Sequence, residues 1–172
     1  MIITQMSKGD FMETTRAAKE KLVTPVAAET SERTSPSQEF SRWSKKILKS
    51  NAGERIRLIR AGVDAMLLVK ASEYYEMPRA KLARIIGLSS ATADRKIKAG
   101  DKLGSAESER LTRIALIEAE AEQVFGSAEL AKQWMLSNNL VLGESPLSLL
   151  DTDAGSAEVR RILSAIAHGG AV

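Results

Sequence analysis

The chain has 172 residues, a length for one or two small domains, with 25 Lys/Arg, 22 Asp/Glu and a formal net charge of +3. It contains no cysteine, which excludes disulfides, thiolate zinc sites and cysteine nucleophiles and fits a reducing compartment. Hydrophobic residues make up 44% and aromatics only 4%, so Leu, Ile and Ala must fill the core. Strand-like runs of Val, Ile, Thr and Tyr are few, and an all-α protein is expected. No apolar run approaches the roughly 18 residues that span a bilayer. Met1-Ile-Ile-Thr-Gln-Met-Ser has no cationic segment before a long apolar stretch, so a cytoplasmic chain without membrane contact is expected.

In chain order, residues 1–38 read as a flexible tail. Thr30-Ser-Glu-Arg-Thr-Ser-Pro-Ser-Gln is polar throughout, and only Met12 to Leu22 holds enough periodicity for a helical turn or two. From residue 39, Phe40, Trp43, Ile47 and Leu48 recur at helical spacing, opposite Arg42, Lys45, Lys46 and Lys49. Asn51-Ala-Gly breaks that helix. A segment from Glu54 to Arg60 follows, with Ile56 and Ile59 expected inward, its three arginines outward and Gly62 as its stop. Val63 to Tyr75 reads as an amphipathic helix with Ala65, Leu68, Val69 and Ser72 on one side. Pro78 resets the chain at the start of the next helix.

Arg79-Ala-Lys-Leu-Ala-Arg-Ile-Ile-Gly-Leu-Ser-Ser-Ala-Thr-Ala-Asp-Arg-Lys-Ile-Lys98 has the grammar of a helix-turn-helix. Leu82, Ala83 and Ile86 form the inner face of the first helix. Gly87 can take the left-handed turn conformation at little steric cost. Leu88 plugs the corner, Ser89 or Ser90 caps the second helix, and Leu88, Ala93 and Ile97 hold it against the first. Ser89, Ser90, Ala91, Asp94, Arg95 and Lys98 then point outward, and such a helix can lie in the major groove of DNA. Arg95 is the expected base reader, because Arg pairs bidentately with guanine. Ser89, Ser90 and Thr92 can donate to phosphates or bases, and Lys96 and Lys98 suit phosphates. Asp94 either reads a cytosine amino group or pairs with Lys98 at i+4, and the pairing is expected.

Beyond a linker at Lys98 to Ser105, Ser105 is expected to cap a long helix, Ala106 to Phe125, with Glu107 in its first turn. Leu111, Ile114, Ala115, Ala121 and Phe125 mark one side, and Glu118 and Glu122 interrupt it. Gly126 ends the helix and Ser127 caps the next, whose apolar face is Leu130, Ala131, Trp134 and Met135. Ser145-Pro146 opens a short helix with Leu147, Leu149 and Leu150 buried. A last helix from about Ser156 to Ala167 turns Val159, Ile162, Leu163 and Ile166 inward.

Charge divides along the chain. Residues 42–100 hold 14 Lys/Arg against 5 Asp/Glu, whereas residues 101–172 hold 6 against 11 and residues 1–41 hold 5 against 6. Positive charge therefore surrounds the helix-turn-helix, where phosphate neutralisation and counterion release act. The acidic C-terminal part suits a protein partner better than DNA. No catalytic constellation is evident. His168 is the only histidine and lies in a glycine-rich tail, the acids of 118–122 spread around a helix, and no phosphate-cradling glycine loop is present. The chain is therefore expected not to be an enzyme, and no metal, cofactor or small-molecule substrate is expected.

Arg79 to Lys98 is followed by Glu109-Arg-Leu-Thr-Arg-Ile-Ala, Ala121-Glu-Gln-Val-Phe-Gly126, Ala131-Lys-Gln-Trp134, Pro146-Leu-Ser-Leu-Leu-Asp-Thr-Asp-Ala-Gly155 and Ile166-Ala-His-Gly. This order resembles the Xre/MbcA/ParS antitoxins over about residues 54 to 170, most specifically in the C-terminal half. The resemblance implies a type II antitoxin encoded beside a RES-domain toxin that degrades NAD. It also implies a C-terminal domain that blocks the toxin's active site and a helix-turn-helix that represses the operon's promoter. The expected division is a helix-turn-helix domain at 39–102 and a toxin-binding domain at 103–172. An NAD pocket accepts phosphates, so an acidic domain suits its entrance. The candidate toxin contacts are Arg160, Arg161, His168, Gly169 and Gly170, the two arginines through toxin carboxylates. A homodimer on paired half-sites is expected. The alternative is a stand-alone repressor whose C-terminal part only dimerises.

Overall fold

The computed structural model describes residues 35–169, which hold α-helices, one short 3-10 helix and an isolated antiparallel bridge, Asp64 with Lys102, but no strand. The expected all-α fold is observed. Gly170 and most of the expected N-terminal tail lie outside the described residues.

Helix α1 (Pro36–Lys49) starts at a capping box: the Gln38 amide donates to Ser35 Oγ and the Ser35 amide to Gln38 Oε1. Phe40, Ser44 and Ile47 are its buried stripe, and Trp43 is half-buried. Helix α2 (Ala52–Ala61) is capped by Asn51 and Glu54 in the same way. Its inward face differs from the expected one. Ile56 is 48% exposed, while Arg55, Leu58 and Ile59 are half-buried. Arg55 Nη1 donates to the Ser50 carbonyl at 2.8 Å, which satisfies the frayed end of α1. That bond places position 55 on the inner stripe with 58, 59 and 62, and so turns 56 outward.

Helix α3 (Met66–Tyr74) begins three residues later than the apolar pattern suggests. Val63 and Asp64 belong instead to an extended crossing: the Val63 amide donates to Ser108 Oγ and its carbonyl accepts from Leu103. Leu67, Leu68, Ala71, Ser72 and Tyr74 are buried on α3, and Tyr75 follows them inward. Helices α4 (Arg79–Ile85) and α5 (Ser90–Ala99) come next.

Helix α6 (Ser105–Phe125) is the axis of the fold. Gly104, not Ser105, occupies its N-cap position. Residues 108, 111–115, 117–119 and 121 are all buried, so the helix is enclosed on most sides rather than along one narrow stripe. Helix α7 (Ala128–Leu136) is capped by Ser127 and buries Ala131 and Met135, but Leu130 faces solvent. A 3-10 helix (Ser148–Asp151) buries Leu150 behind Leu147, with Leu149 half-buried. Helix α8 (Asp153–Ala167) starts ahead of the expected Ser156, because Thr152 Oγ1 accepts from the Gly155 amide and caps it there. Any side chain at Gly155 would strike the Leu149 carbonyl, so the 3-10 helix and α8 meet backbone to backbone.

The described residues, 35–169, belong to one compact unit. One apolar cluster runs from Phe40 on α1 through Leu68, Leu82, Ala93 and Leu111 to Leu150 and Val159. A smaller one joins Ala121, Ala131 and Leu163, beside the Phe125 and Trp134 rings at 5.5 Å. The connection from α5 to α6, where the two expected domains meet, is crossed by shared packing. No helix among the described residues is long and apolar enough to cross a membrane.

Candidate functional site

The turn between α4 and α5 follows from a few residues. Leu82, Ala83 and Ile86 are fully buried, and Ala83 lets α5 approach. Gly87 has φ +83°; its amide donates to the Arg84 carbonyl at 2.9 Å, and the Leu88 amide reaches the Ala83 carbonyl at 2.8 Å. These two bonds form a Schellman cap, which needs the left-handed residue that glycine supplies. Leu88 is buried in the corner. Ser89 Oγ accepts from the Thr92 amide at 3.1 Å and so caps α5. Ala93 is buried and Ile97 packs against the core.

This geometry sorts the candidate DNA contacts. Ser90, Arg95 and Lys98 are exposed, and their side chains make no hydrogen bond or ion pair among the described residues. Ser89 is exposed but occupied as the cap, and it also donates to Thr92 Oγ1 at 2.9 Å. Lys96 turns toward the α5–α6 connection, where its Nζ donates to the Lys102 carbonyl at 2.9 Å. Lys102 in turn donates to the Ala61 carbonyl at the end of α2. Asp94 does not pair with Lys98. It takes Arg79 Nη2 at 2.7 Å and ties the start of α4 to the exposed side of α5. The pair leaves the charge of Lys98 uncompensated by Asp94.

The C-terminal candidates lie on α8 and just beyond it. Val159, Ile162 and Leu163 hold the helix to the core, and Arg160 and Arg161 are exposed. Both arginines have partners within the chain. Arg160 Nε meets Glu120 Oε2 on α6 at 3.1 Å, and Arg161 Nη2 meets Glu158 Oε1 at 2.6 Å. His168 Nδ1 lies 2.7 Å from the Ser164 carbonyl, and Gly169 has φ +70°. Arg161 thus lies on the exposed side of α8 with His168 and Gly169 at its end, while Arg160 reaches back to α6.

Two buried ionisable side chains, Arg113 and Glu118, stand behind these surfaces; from the sequence Arg113 has no role and Glu118 only that of interrupting an apolar face. Arg113 on α6 donates through Nε and Nη2 to Glu109, at 3.1 and 2.7 Å, through Nη1 to the Leu150 carbonyl at 3.3 Å, and pairs with Asp153. It clamps the 3-10 helix and the first turn of α8 onto α6. Its i,i+4 relation to Glu109 was the available signal. Arg110 donates to the Ile86 carbonyl at 3.3 Å and to the Asp151 carbonyl at 3.3 Å, linking the helix-turn-helix corner to the C-terminal part.

Glu118 is 2% exposed. Its Oε1 accepts from Tyr74 at 2.7 Å and its Oε2 from Tyr75 at 2.6 Å. Burial pushes its carboxyl up to about 7, although the two tyrosine hydrogen bonds oppose that rise. Burial and the nearby carboxylate raise both tyrosines well above their usual value, so both stay protonated donors. No group of three or more His, Asp or Glu among the described residues is arranged to hold a metal ion.

Comparison with known proteins assigns these parts. Residues 54–116 match the family described as the antitoxin Xre-like helix-turn-helix domain. Residues 120–169 match the antitoxin Xre/MbcA/ParS C-terminal toxin-binding domain. Antitoxin Xre of Pseudomonas putida is 36% identical over 112 residues, covering 64% of this chain and 69% of that protein. Antitoxin Xre of Photorhabdus laumondii is 25% identical over 130 residues, covering 74% of this chain and 88% of its own length. Antitoxin Xre of Yersinia enterocolitica is 28% identical over 113 residues, covering 64% and 76%. The helix-turn-helix match runs from within α2 into α6 and contains the whole α4–turn–α5 unit, and the toxin-binding match runs from within α6 to just past the end of α8. On these grounds the chain belongs to the Xre antitoxins, with a helix-turn-helix domain followed by a toxin-binding domain.

Proposed function

We propose that this antitoxin neutralises a RES-domain toxin encoded beside it by closing the toxin's NAD-degrading active site with its C-terminal segment. In the same reading, α5 binds the operon's promoter, so that the antitoxin represses its own transcription from a cytoplasmic location. The observation that carries the reading is the match of residues 120–169 to the toxin-binding domain, which ends at the exposed end of α8. Arg160, Arg161, His168, Gly169 and Gly170 remain the proposed toxin contacts. Arg160 and Arg161 exchange Glu120 and Glu158 for toxin carboxylates on docking, an exchange that exposed ion pairs permit at little cost.

On the DNA side, Ser90 and Arg95 face base edges, while Ser89, Thr92, Lys96 and Lys98 serve as phosphate contacts and caps. The promoter is read by a homodimer at two half-sites about 34 Å apart. Co-expression with the neighbouring gene tests the toxin half. Growth arrest by that gene alone, rescued by this chain with co-purification of the two products, is the expected result. A harmless neighbour, or one that does not co-purify, contradicts it. Footprinting on the operon's promoter tests the DNA half, and two protected half-sites are expected.

A further inference from the structure

Among the described residues, six large apolar side chains are exposed, and four of them, Leu130, Leu136, Leu140 and Val141, fall within one short stretch. Leu140 is 97% exposed and Val141 51%. An isolated exposed leucine needs no explanation. Two neighbours at the tip of a rigid loop do, because loops that do no work are polar and mobile.

This loop is built to hold its tip still. Asn139 Oδ1 accepts from the amides of Val141 at 2.9 Å and Leu142 at 3.1 Å. The Gly143 amide closes onto the Asn139 carbonyl at 2.8 Å, and the Asn139 amide onto Glu144 at 3.1 Å. Gly143 takes φ +78° to make the return. Below the tip, Leu142 packs against the core and the Leu147 amide donates to the Met135 carbonyl at 3.0 Å. The eleven residues from Gln133 to Gly143 carry no formal charge. A pre-ordered apolar tip loses little conformational entropy on docking, which is the property of an interface anchor.

We propose that Leu140 and Val141 form an apolar anchor of the toxin interface, inserting into an uncharged apolar pocket on the toxin at a distance along the chain from the α8 end. The occupant is the toxin and not another molecule because the loop lies inside the span matched to the toxin-binding domain. The anchor rests on the toxin reading above.

The test uses the full chain and the product of the neighbouring gene, with affinity measured for the wild type, Leu140→Ser, Leu140→Met and the double variant Leu140→Ser/Val141→Ser. Leu140→Ser is expected to weaken binding at least about tenfold, mainly through faster dissociation, and the double variant further. Leu140→Met, which keeps an apolar side chain of similar volume, is expected to restore most of the affinity. Promoter affinity and the melting curve are expected to match the wild type in all variants, since neither side chain belongs to an apolar core cluster. Wild-type affinity in both serine variants overturns the anchor and leaves the toxin reading intact. Absence of any complex with the wild type overturns both. A concentration-dependent dimer of the antitoxin that Leu140→Ser dissociates also overturns it, because the loop would then serve a second copy.

Discussion

Glu118 carries its carboxyl into the core between two tyrosine hydroxyls from α3 and its end, and both oxygens are occupied. Its folded-state value of about 7 lies above the ordinary 4.5. Glu118 therefore binds more protons in the folded than in the unfolded chain between those values, so its contribution to stability is full below about pH 4.5 and is lost as pH rises through about 7. The loss attributable to Glu118 is about 3 kcal/mol. Urea unfolding from about pH 5 to about pH 8 is expected to show this decline in the wild type and a flatter profile in Glu118→Gln, which cannot ionise. Parallel profiles would remove Glu118 as the cause. Arg113 is the opposite case, a buried charge whose hydrogen bonds all run to acceptors. Arg113→Ala leaves the Leu150 carbonyl without its donor, while the exposed carboxylates of Glu109 and Asp153 return to water, and it is expected to cost about 1–3 kcal/mol in the same measurement. On the exposed side, Arg95→Ala is expected to weaken specific promoter binding by about 1–3 kcal/mol and to relax base preference at one position. Lys98→Ala is expected to weaken binding to all sequences alike and to reduce the salt slope by about one.

At the scale of elements, the corner between α4 and α5 rests on Gly87. Gly87→Ala places a Cβ at φ +83° and brings it to 2.6 Å from the Arg110 guanidinium. The guanidinium can swing aside, so the backbone term dominates and a loss of about 1–2 kcal/mol is expected in denaturant unfolding. Freed from Ile86, Arg110 would also stop bracing the corner, and promoter affinity is expected to fall with stability. This corner was legible in the sequence because each of its residues answers a local demand: a small residue at 83, glycine at 87, an apolar plug at 88, a cap at 89. Helix α2 was misread at Ile56 because a side chain far away in chemistry, Arg55, finds carbonyls at the end of α1 and rotates the inner stripe. Glu118 was read as an interruption of an apolar face because its partners, Tyr74 and Tyr75, lie 44 and 43 residues away. The Asp94 pairing went to Arg79 for the same reason, since local spacing offered Lys98 and the fold offered a nearer cation.

Across the whole molecule, α6 is the shared support. Its first half belongs to the span matched to the helix-turn-helix domain and its end to the toxin-binding span. Arg110, Arg113 and Glu118 each tie one side of it to another element. The described residues are therefore expected to unfold in one cooperative transition. Trp43 on α1 and Trp134 on α7 sit on different helices, and in each of the variants Trp43→Phe and Trp134→Phe the fluorescence of the remaining tryptophan and the helical circular dichroism are expected to give coincident thermal midpoints. Separate midpoints would show two independent units. Arg110 on the shared helix joins the helix-turn-helix corner, at the Ile86 carbonyl, to the Asp151 carbonyl ahead of α8.

The decisive measurement is NAD hydrolysis by the product of the neighbouring gene, titrated with the full-length antitoxin. Hydrolysis is expected to fall in proportion to the antitoxin added and to reach zero at a fixed stoichiometry, with the complex recovered intact. Hydrolysis that continues unchanged in excess antitoxin, or a neighbouring product that consumes no NAD, would contradict the proposed neutralisation.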